Sequence, residues 1–228
     1  MSDNDDVWII MPVYHEAAVV ADVVTQVQET FPNVVCVDDG SLDDSATQIL
    51  GTGAHLVRHP VNLGQGAALE TGLRYALARE GGRYFVTFDA DGQHRVEDVL
   101  AMLEVARSGA ADVVLGSRFL DPSGSVPWLR RLVLRTAVLF SPATRRLRLT
   151  DAHNGLRVLT REVAERVHIT MNGMAHASEI IAVLARSSWR VVEVPVTILY
   201  TDYSRSKGQS LINGVNILFD LSLRNRST

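Results

Sequence analysis

Arg83-Tyr84-Phe85-Val86-Thr87-Phe88-Asp89-Ala90-Asp91-Gly92-Gln93-His94 sets a strand-like apolar run directly ahead of two carboxylates one residue apart. Aromatic and β-branched residues suit a pleated, buried strand over 83–88. Charge at the carboxyl end of such a strand is informative, because that edge of a parallel sheet opens into the ligand crevice. Asp89 and Asp91 can face the same side of an extended chain. Two hard oxygen ligands there suit Mg²⁺ or Mn²⁺ carrying a diphosphate, and Gln93 can add a further oxygen. The bland alternative is an acidic turn leading into a helix. The place of this run, in the middle of the expected sheet, weighs against it.

Working outward, short apolar runs at 7–11, 34–37, 54–58 and 112–115 read as further strands. Helical patterns fill 16–30, 65–79 and 96–107, and Ser41 is placed to cap another running to residue 50, with Asp43 and Asp44 in its first turn. Strands alternating with helices predict one α/β domain with a mainly parallel sheet covered by helices on both faces. Beyond residue 118 the pattern changes. A helix-like stretch at 126–149 carries six arginines, a strand is expected near 156–159, and a helix at 176–186. A strand at 190–199 holds Pro195, which predicts an edge or an irregular stretch. Residues 1–210 are expected to form this α/β domain and 211–228 an amphipathic tail.

The 228 residues suffice for one sizeable core, and 46% apolar with 21% charged residues is an ordinary composition for a soluble domain. A net charge of −4 argues against a dedicated nucleic-acid binder. Cys36, the single cysteine, sits in an apolar run and reads as a buried small hydrophobe, in keeping with a reducing compartment. No stretch resembles a signal peptide or reaches the length of a membrane span.

Other strand ends carry chemistry-bearing residues. Pro12-Val13-Tyr14-His15-Glu16 follows the first strand, where Tyr14 can line a base pocket and Glu16 can accept from a base or ribose. It equally suits the start of a helix. In Asp38-Asp39-Gly40-Ser41, Asp39 can accept from a ring N–H or a ribose hydroxyl, or the segment is a turn and cap. Gly64 and Gly66 precede a helix without the lysine of a phosphate-binding P-loop, and permit close backbone approach to a ligand. Arg118 suits phosphate with a planar fork that lysine lacks. Asp151 can orient an acceptor or steady the metal loop. Glu179, one turn from His176, is either a base or half of a structural ion pair. Arg205 and Lys207 lie in a hydroxyl-rich loop able to neutralise a diphosphate.

Together these motifs resemble the inverting glycosyltransferase family 2, with its GT-A fold, and within it the dolichyl- or polyprenyl-phosphate hexose synthases. The resemblance rests on Pro12 to Glu16, Val37 to Ser41, Asn62-Leu63-Gly64, Asp89 to His94 and Gly116-Ser117-Arg118, in that order, with the 151–157 element and Ser206-Lys207-Gly208 favouring the subgroup. It implies that Pro12, Tyr14, Glu16 and Asp39 hold the nucleotide, and that Asp89, Asp91 and Gln93 surround Mg²⁺ or Mn²⁺. It also implies that Arg118, Arg205 and Lys207 engage phosphates. Gln65 stands where such enzymes often carry a basic residue. The implied donor is a nucleotide-sugar of the GDP-mannose or UDP-glucose type, and the implied acceptor a polyprenyl phosphate at the cytoplasmic face of the membrane. The protein is expected there as a peripheral protein, through 126–149, the tail or a small membrane partner. A saccharide hydroxyl acceptor would need a general base, with Asp151 and Glu179 as candidates. A non-catalytic nucleotide-sugar-binding subunit is the remaining reading.

Overall fold

A computed structural model describes residues 4–120 and 142–199. The segments expected at 200–210 and 211–223, with Arg205 and Lys207, lie outside them. So does most of the arginine-rich stretch. Seven strands form one sheet: β1 (Val7–Val13), β2 (Asn33–Asp38), β3 (His55–Arg58), β4 (Tyr84–Thr87), β5 (Val113–Ser117), β6 (Arg157–Thr160) and β7 (Val191–Pro195). Their order is β3-β2-β1-β4-β6-β5-β7. Seven helices accompany them in the described residues: α1 (Val20–Gln28), α2 (Ser45–Thr52), α3 (Gln65–Leu77), α4 (Val96–Arg107), α5 (Pro142–Leu147), α6 (Arg161–Arg166) and α7 (His176–Arg186).

β1 lies inside the sheet, between β2 and β4, and almost every side chain of Val-Trp-Ile-Ile-Met-Pro-Val is buried, which only a strand covered on both faces tolerates. Alternation sends Ile9 and Met11 to one apolar layer with α1 and α4, where Val24, Val99 and Met102 pack. Ile10 goes to the other layer, with Leu69 and Leu73 of α3 and Ile181 and Leu184 of α7. Cys36 lies in the first layer, and burial pushes its thiol up to about 12.

The sheet is mainly parallel, with one exception that matters. β6 runs antiparallel to both β4 and β5, with Arg157 opposite Thr87 and Leu115. Reversal brings the start of β6, rather than its end, to the edge where β1, β2, β4 and β5 finish. Residues 151–157 therefore join the ligand edge. β7 is an edge strand, and Pro195 is its last residue. At residue 142 the chain re-enters as the short helix α5, so the helix expected over 126–149 is described only at its C-terminal end.

Helix starts differ from the sequence reading. α1 begins at Val20 and α2 at Ser45, because the residues ahead of each are used to join the two loops. Ser41 is not the helix cap. Its Oγ accepts from the His15 N–H at 3.0 Å, and the Ser45 Oγ accepts from the Glu16 N–H at 2.9 Å. α6, a six-residue helix, is too short to show a period in sequence.

Gly72 lets α3 lie against β1. A Cβ there would sit 2.6 Å from Ile10 Cγ2. Gly72→Ala is expected to cost about 1–3 kcal/mol through overpacking. Ile10→Ala should cost about 2–5 kcal/mol. The double variant should cost less than the sum, because one change opens the space the other fills. Urea unfolding of all four proteins measures the coupling.

Candidate active site

Asp89 and Asp91 follow β4 at the centre of the ligand edge. Three separate segments hold Asp89. Its Oδ1 accepts from Gln65 Nε2 at 3.0 Å, from the start of α3. Its Oδ2 accepts from His94 Nε2 at 3.1 Å. Gly155, just ahead of β6, has no room for a side chain, since a Cβ would lie 2.3 Å from Asp89 Oδ2. Burial by itself would raise the Asp89 pKa. The hydrogen bond and charge of His94, with the fields of Arg157 and His176, outweigh it and hold the carboxyl below the usual range.

Asp91 is less supported. Its Oδ1 accepts from the Gln93 N–H at 3.0 Å. Burial, then the neighbouring charge of Asp89, push its pKa up to about 6, and Glu16 adds to the push. Glu16 of the loop after β1 is thus electrostatically close to the carboxylate pair. Gln93 is buried, and its backbone ties the turn to the segment after β7, the carbonyl accepting from the Leu199 N–H at 2.9 Å.

A second charged group lies where β5 ends. Arg118 grips Asp151 with both Nε and Nη2, at 2.6 and 2.8 Å, and its backbone N–H reaches the same carboxylate at 3.2 Å. Burial opposes the ionised form of Asp151, but the Arg118 bonds and charge win and keep its pKa low. Asp151 is placed in turn by Glu193 of β7. The Glu193 carboxylate accepts from the Thr150 N–H at 2.7 Å, the Thr150 hydroxyl at 2.9 Å and the Asp151 N–H at 2.8 Å. Burial raises the Glu193 pKa.

The donor-side residues divide. Pro12 lies near the end of β1, opposite Val37, and Tyr14 beyond it is exposed and stacks on His15 at 4.1 Å. His15 has φ of 55°, an uncommon backbone state for a residue with a side chain. Asp39 is buried and already engaged. Its Oδ1 meets His59 Nδ1 at 2.7 Å and the Leu63 N–H at 2.9 Å, and its Oδ2 the Gly64 N–H at 2.7 Å. It holds the glycine loop. The space above Gly64 is not left for a ligand. A Cβ there would be 2.3 Å from the Asn172 carbonyl oxygen, and Gly66 N–H donates to that same oxygen at 2.7 Å.

Glu179 faces away from the reading of it as a base. Its carboxylate accepts from the Thr170 N–H at 3.0 Å, the Met171 N–H at 2.9 Å and the Thr170 hydroxyl, and so staples the loop ahead of α7. Sequence reasoning assigned no role to Gln65, His94, Gly155, Arg157 or Glu193. Gln65 and His94 stood in the quoted motifs, and Glu193, a lone charge within an apolar strand, was a further visible signal.

The chemistry of the donor set fits a divalent metal. Two hard carboxylates repel one another at a strand end, and a cation relieves that repulsion. Among the described residues no cluster of three or more His, Cys, Asp or Glu could hold an ion. A metal that arrives with a diphosphate, completing its shell with phosphate oxygens, suits this set. The pH dependence follows from Asp91. Its folded pKa of about 6 lies above the ordinary 3.8, so the metal-free fold retains a proton that the unfolded chain has lost. Stability of the metal-free protein should fall as pH rises from 3.8 to about 6. Mn²⁺ binding, which needs Asp91 ionised, should weaken as pH drops below about 6, as electron paramagnetic resonance titrations at several pH values would record.

Comparison with known proteins agrees with this geometry. The profile of glycosyl transferase family 2 matches residues 8–167. The polyprenol monophosphomannose synthase of Mycolicibacterium smegmatis is 31% identical, over 92% of this chain and 82% of that one. The UDP-N-acetylglucosamine–dolichyl-phosphate N-acetylglucosaminyltransferase of Methanococcus voltae is 25% identical, over 94% of each. Among solved structures, glucosyl-3-phosphoglycerate synthase from Mycobacterium tuberculosis with bound UDP superposes with a TM-score of 0.67. It covers 92% of this chain and 74% of that one at 16% identity, a likeness of fold. With β4 ending in the carboxylate pair and the other strand ends gathered around it, this GT-A-fold chain belongs to glycosyltransferase family 2, and its curated relatives include transferases of sugars to polyprenyl and dolichyl phosphates.

Proposed function

We propose that this glycosyltransferase moves a hexose, with inversion, from a nucleotide-sugar of the GDP-mannose or UDP-glucose type to a polyprenyl phosphate. The observation that carries the reading is the state of the two candidate bases. Asp151 is locked into a two-pronged pair with Arg118 and held ionised by it, and Glu179 is filled by the 170–171 loop. A sugar hydroxyl needs a base to take its proton. A lipid phosphate is already an anion and needs none. Relatives named for polyprenyl- and dolichyl-phosphate acceptors support the same choice.

In this reading Asp91 and Asp89, with Gln93, hold Mg²⁺ or Mn²⁺, which supplies positive charge to the departing nucleoside diphosphate. Pro12, Tyr14 and Glu16 flank the nucleoside, while Asp39 acts through the loop at 62–64. Arg118, oriented by Asp151, presents its guanidinium to phosphate. Arg205 and Lys207, which lie outside the described residues, are assigned by the family resemblance to the same phosphates. The phosphate oxygen of the acceptor bonds to sugar C1 as the bond from C1 to the diphosphate oxygen breaks, so the anomeric centre inverts. Among the described residues no helix is long and apolar enough to cross a membrane. The lipid is reached, in this proposal, by peripheral contact at the cytoplasmic face.

Purified protein, offered UDP- and GDP-sugars with Mg²⁺ or Mn²⁺ and a polyprenyl phosphate, should release nucleoside diphosphate and form an anionic glycolipid. Turnover only with a saccharide acceptor would contradict the proposal, and nucleotide-sugar binding without turnover would indicate a non-catalytic subunit. Asp91→Asn should lower transfer by on the order of 100-fold or more. Its melting temperature should not fall, because the change removes a charge that Asp89 repels.

A further inference from the structure

Arg157 is a buried charged group of the ligand edge with an unpartnered nitrogen. It opens β6, with only 2% of its surface exposed. Its Nη1 has no hydrogen-bond partner, and among the described residues no carboxylate pairs with its guanidinium. A guanidinium taken out of water costs several kcal/mol unless it is paired and hydrogen-bonded. Nothing in the packing requires a cation at this position. Leu159, two residues on and on the same face, belongs to the apolar layer beneath α3 and α7.

The position identifies what the charge is for. Arg157 lies opposite Thr87, two residues before Asp89, and opposite Leu115, three residues before Arg118. Thr87 Oγ1 donates to the Gly155 carbonyl at 2.5 Å, and Gly155 is itself pressed against the Asp89 carboxylate. The anions whose fields act on Arg157 are Asp89 and Asp151, one from each half of the site. His153 and His176 are the other ionisable groups nearby, and both have lowered pKa values, first from burial and then with a contribution from Arg157.

We propose that Arg157 is a positioning residue of the transfer reaction: a buried cation that balances the carboxylates of the ligand edge while the metal is away, and couples Asp89 to the Asp151–Arg118 pair. The inference rests on the reading of Asp89 and Asp91 as a metal site. It makes Arg157 a residue kept for function at the expense of stability. A prop for the fold would behave in the opposite way.

Arg157→Met, which keeps length and apolar bulk, separates the two roles, with Arg157→Lys as the charge-conserving control. Mn²⁺ binding without nucleotide is read by electron paramagnetic resonance, melting by calorimetry, and transfer by nucleoside diphosphate release. Removing a positive charge beside two carboxylates should tighten Mn²⁺ binding about fivefold or more. The same variant should melt at or above the wild-type temperature and transfer sugar at least tenfold more slowly. Arg157→Lys should bind Mn²⁺ like the wild type and recover part of the rate. A folded Arg157→Met protein with unchanged Mn²⁺ affinity, or unchanged transfer, overturns the inference. So does loss of cooperative melting in both variants, which would mark a structural prop. A wild-type protein that binds no Mn²⁺ overturns the metal reading itself, and the inference with it.

Discussion

Asp89 and Asp91 sit one residue apart just beyond the end of β4, the middle strand of the sheet, and their mutual repulsion in a partly buried edge shapes the groups around them. One member is stabilised and the other is not. Gln65 and His94 donate to Asp89, and Gly155 gives it room. Asp91 has the Gln93 backbone N–H, and its pKa rises to about 6. The asymmetry leaves Asp91, among the described residues, with a backbone N–H and no ion-pair partner. In the proposed reading a divalent ion bound with a diphosphate would offset its charge; among the described residues no cluster of three or more His, Cys, Asp or Glu could hold an ion by itself.

Around that pair the side chains work in relays. Glu193 fixes the backbone at Thr150 and Asp151, and Asp151 fixes the Arg118 guanidinium just beyond the end of β5. Asp39 and His59 fix the turn at 62–64, and the Asn172 carbonyl rests on Gly64 and Gly66. Carboxylates thus serve mainly to place other groups. That division favours an acceptor that brings its own negative charge, because the carboxylates suited to proton removal are engaged elsewhere.

Strands and helices were legible where the pattern was local. The helices at 96–107 and 176–186 were read to the residue, and the strand before Asp89 within one or two. The direction of β6 was not legible, since alternation in a four-residue strand says nothing about which way it runs. Its reversal is what carries Gly155 and Arg157 to the site. The roles of Asp39, Gly64 and Glu179 were obscured for a related reason. Gln65 reaches Asp89 across 24 residues, and Gly64 meets Asn172 far along the chain. Sequence spacing reveals that such residues are chemical, whereas packing decides whether they touch a ligand or one another.

The acceptor chemistry is the centre of the account, and isotope labelling tests it most directly. A polyprenyl phosphate carrying ¹⁸O in its terminal phosphate oxygens and an unlabelled saccharide acceptor are supplied together with a turnover-competent nucleotide-sugar and Mn²⁺, and the products are weighed by mass spectrometry. Attack by the lipid phosphate predicts that all the label stays in the glycolipid, including the oxygen bound to C1, and that the released nucleoside diphosphate carries none. Sugar found only on an unlabelled saccharide hydroxyl, with the labelled lipid unchanged, would contradict the account.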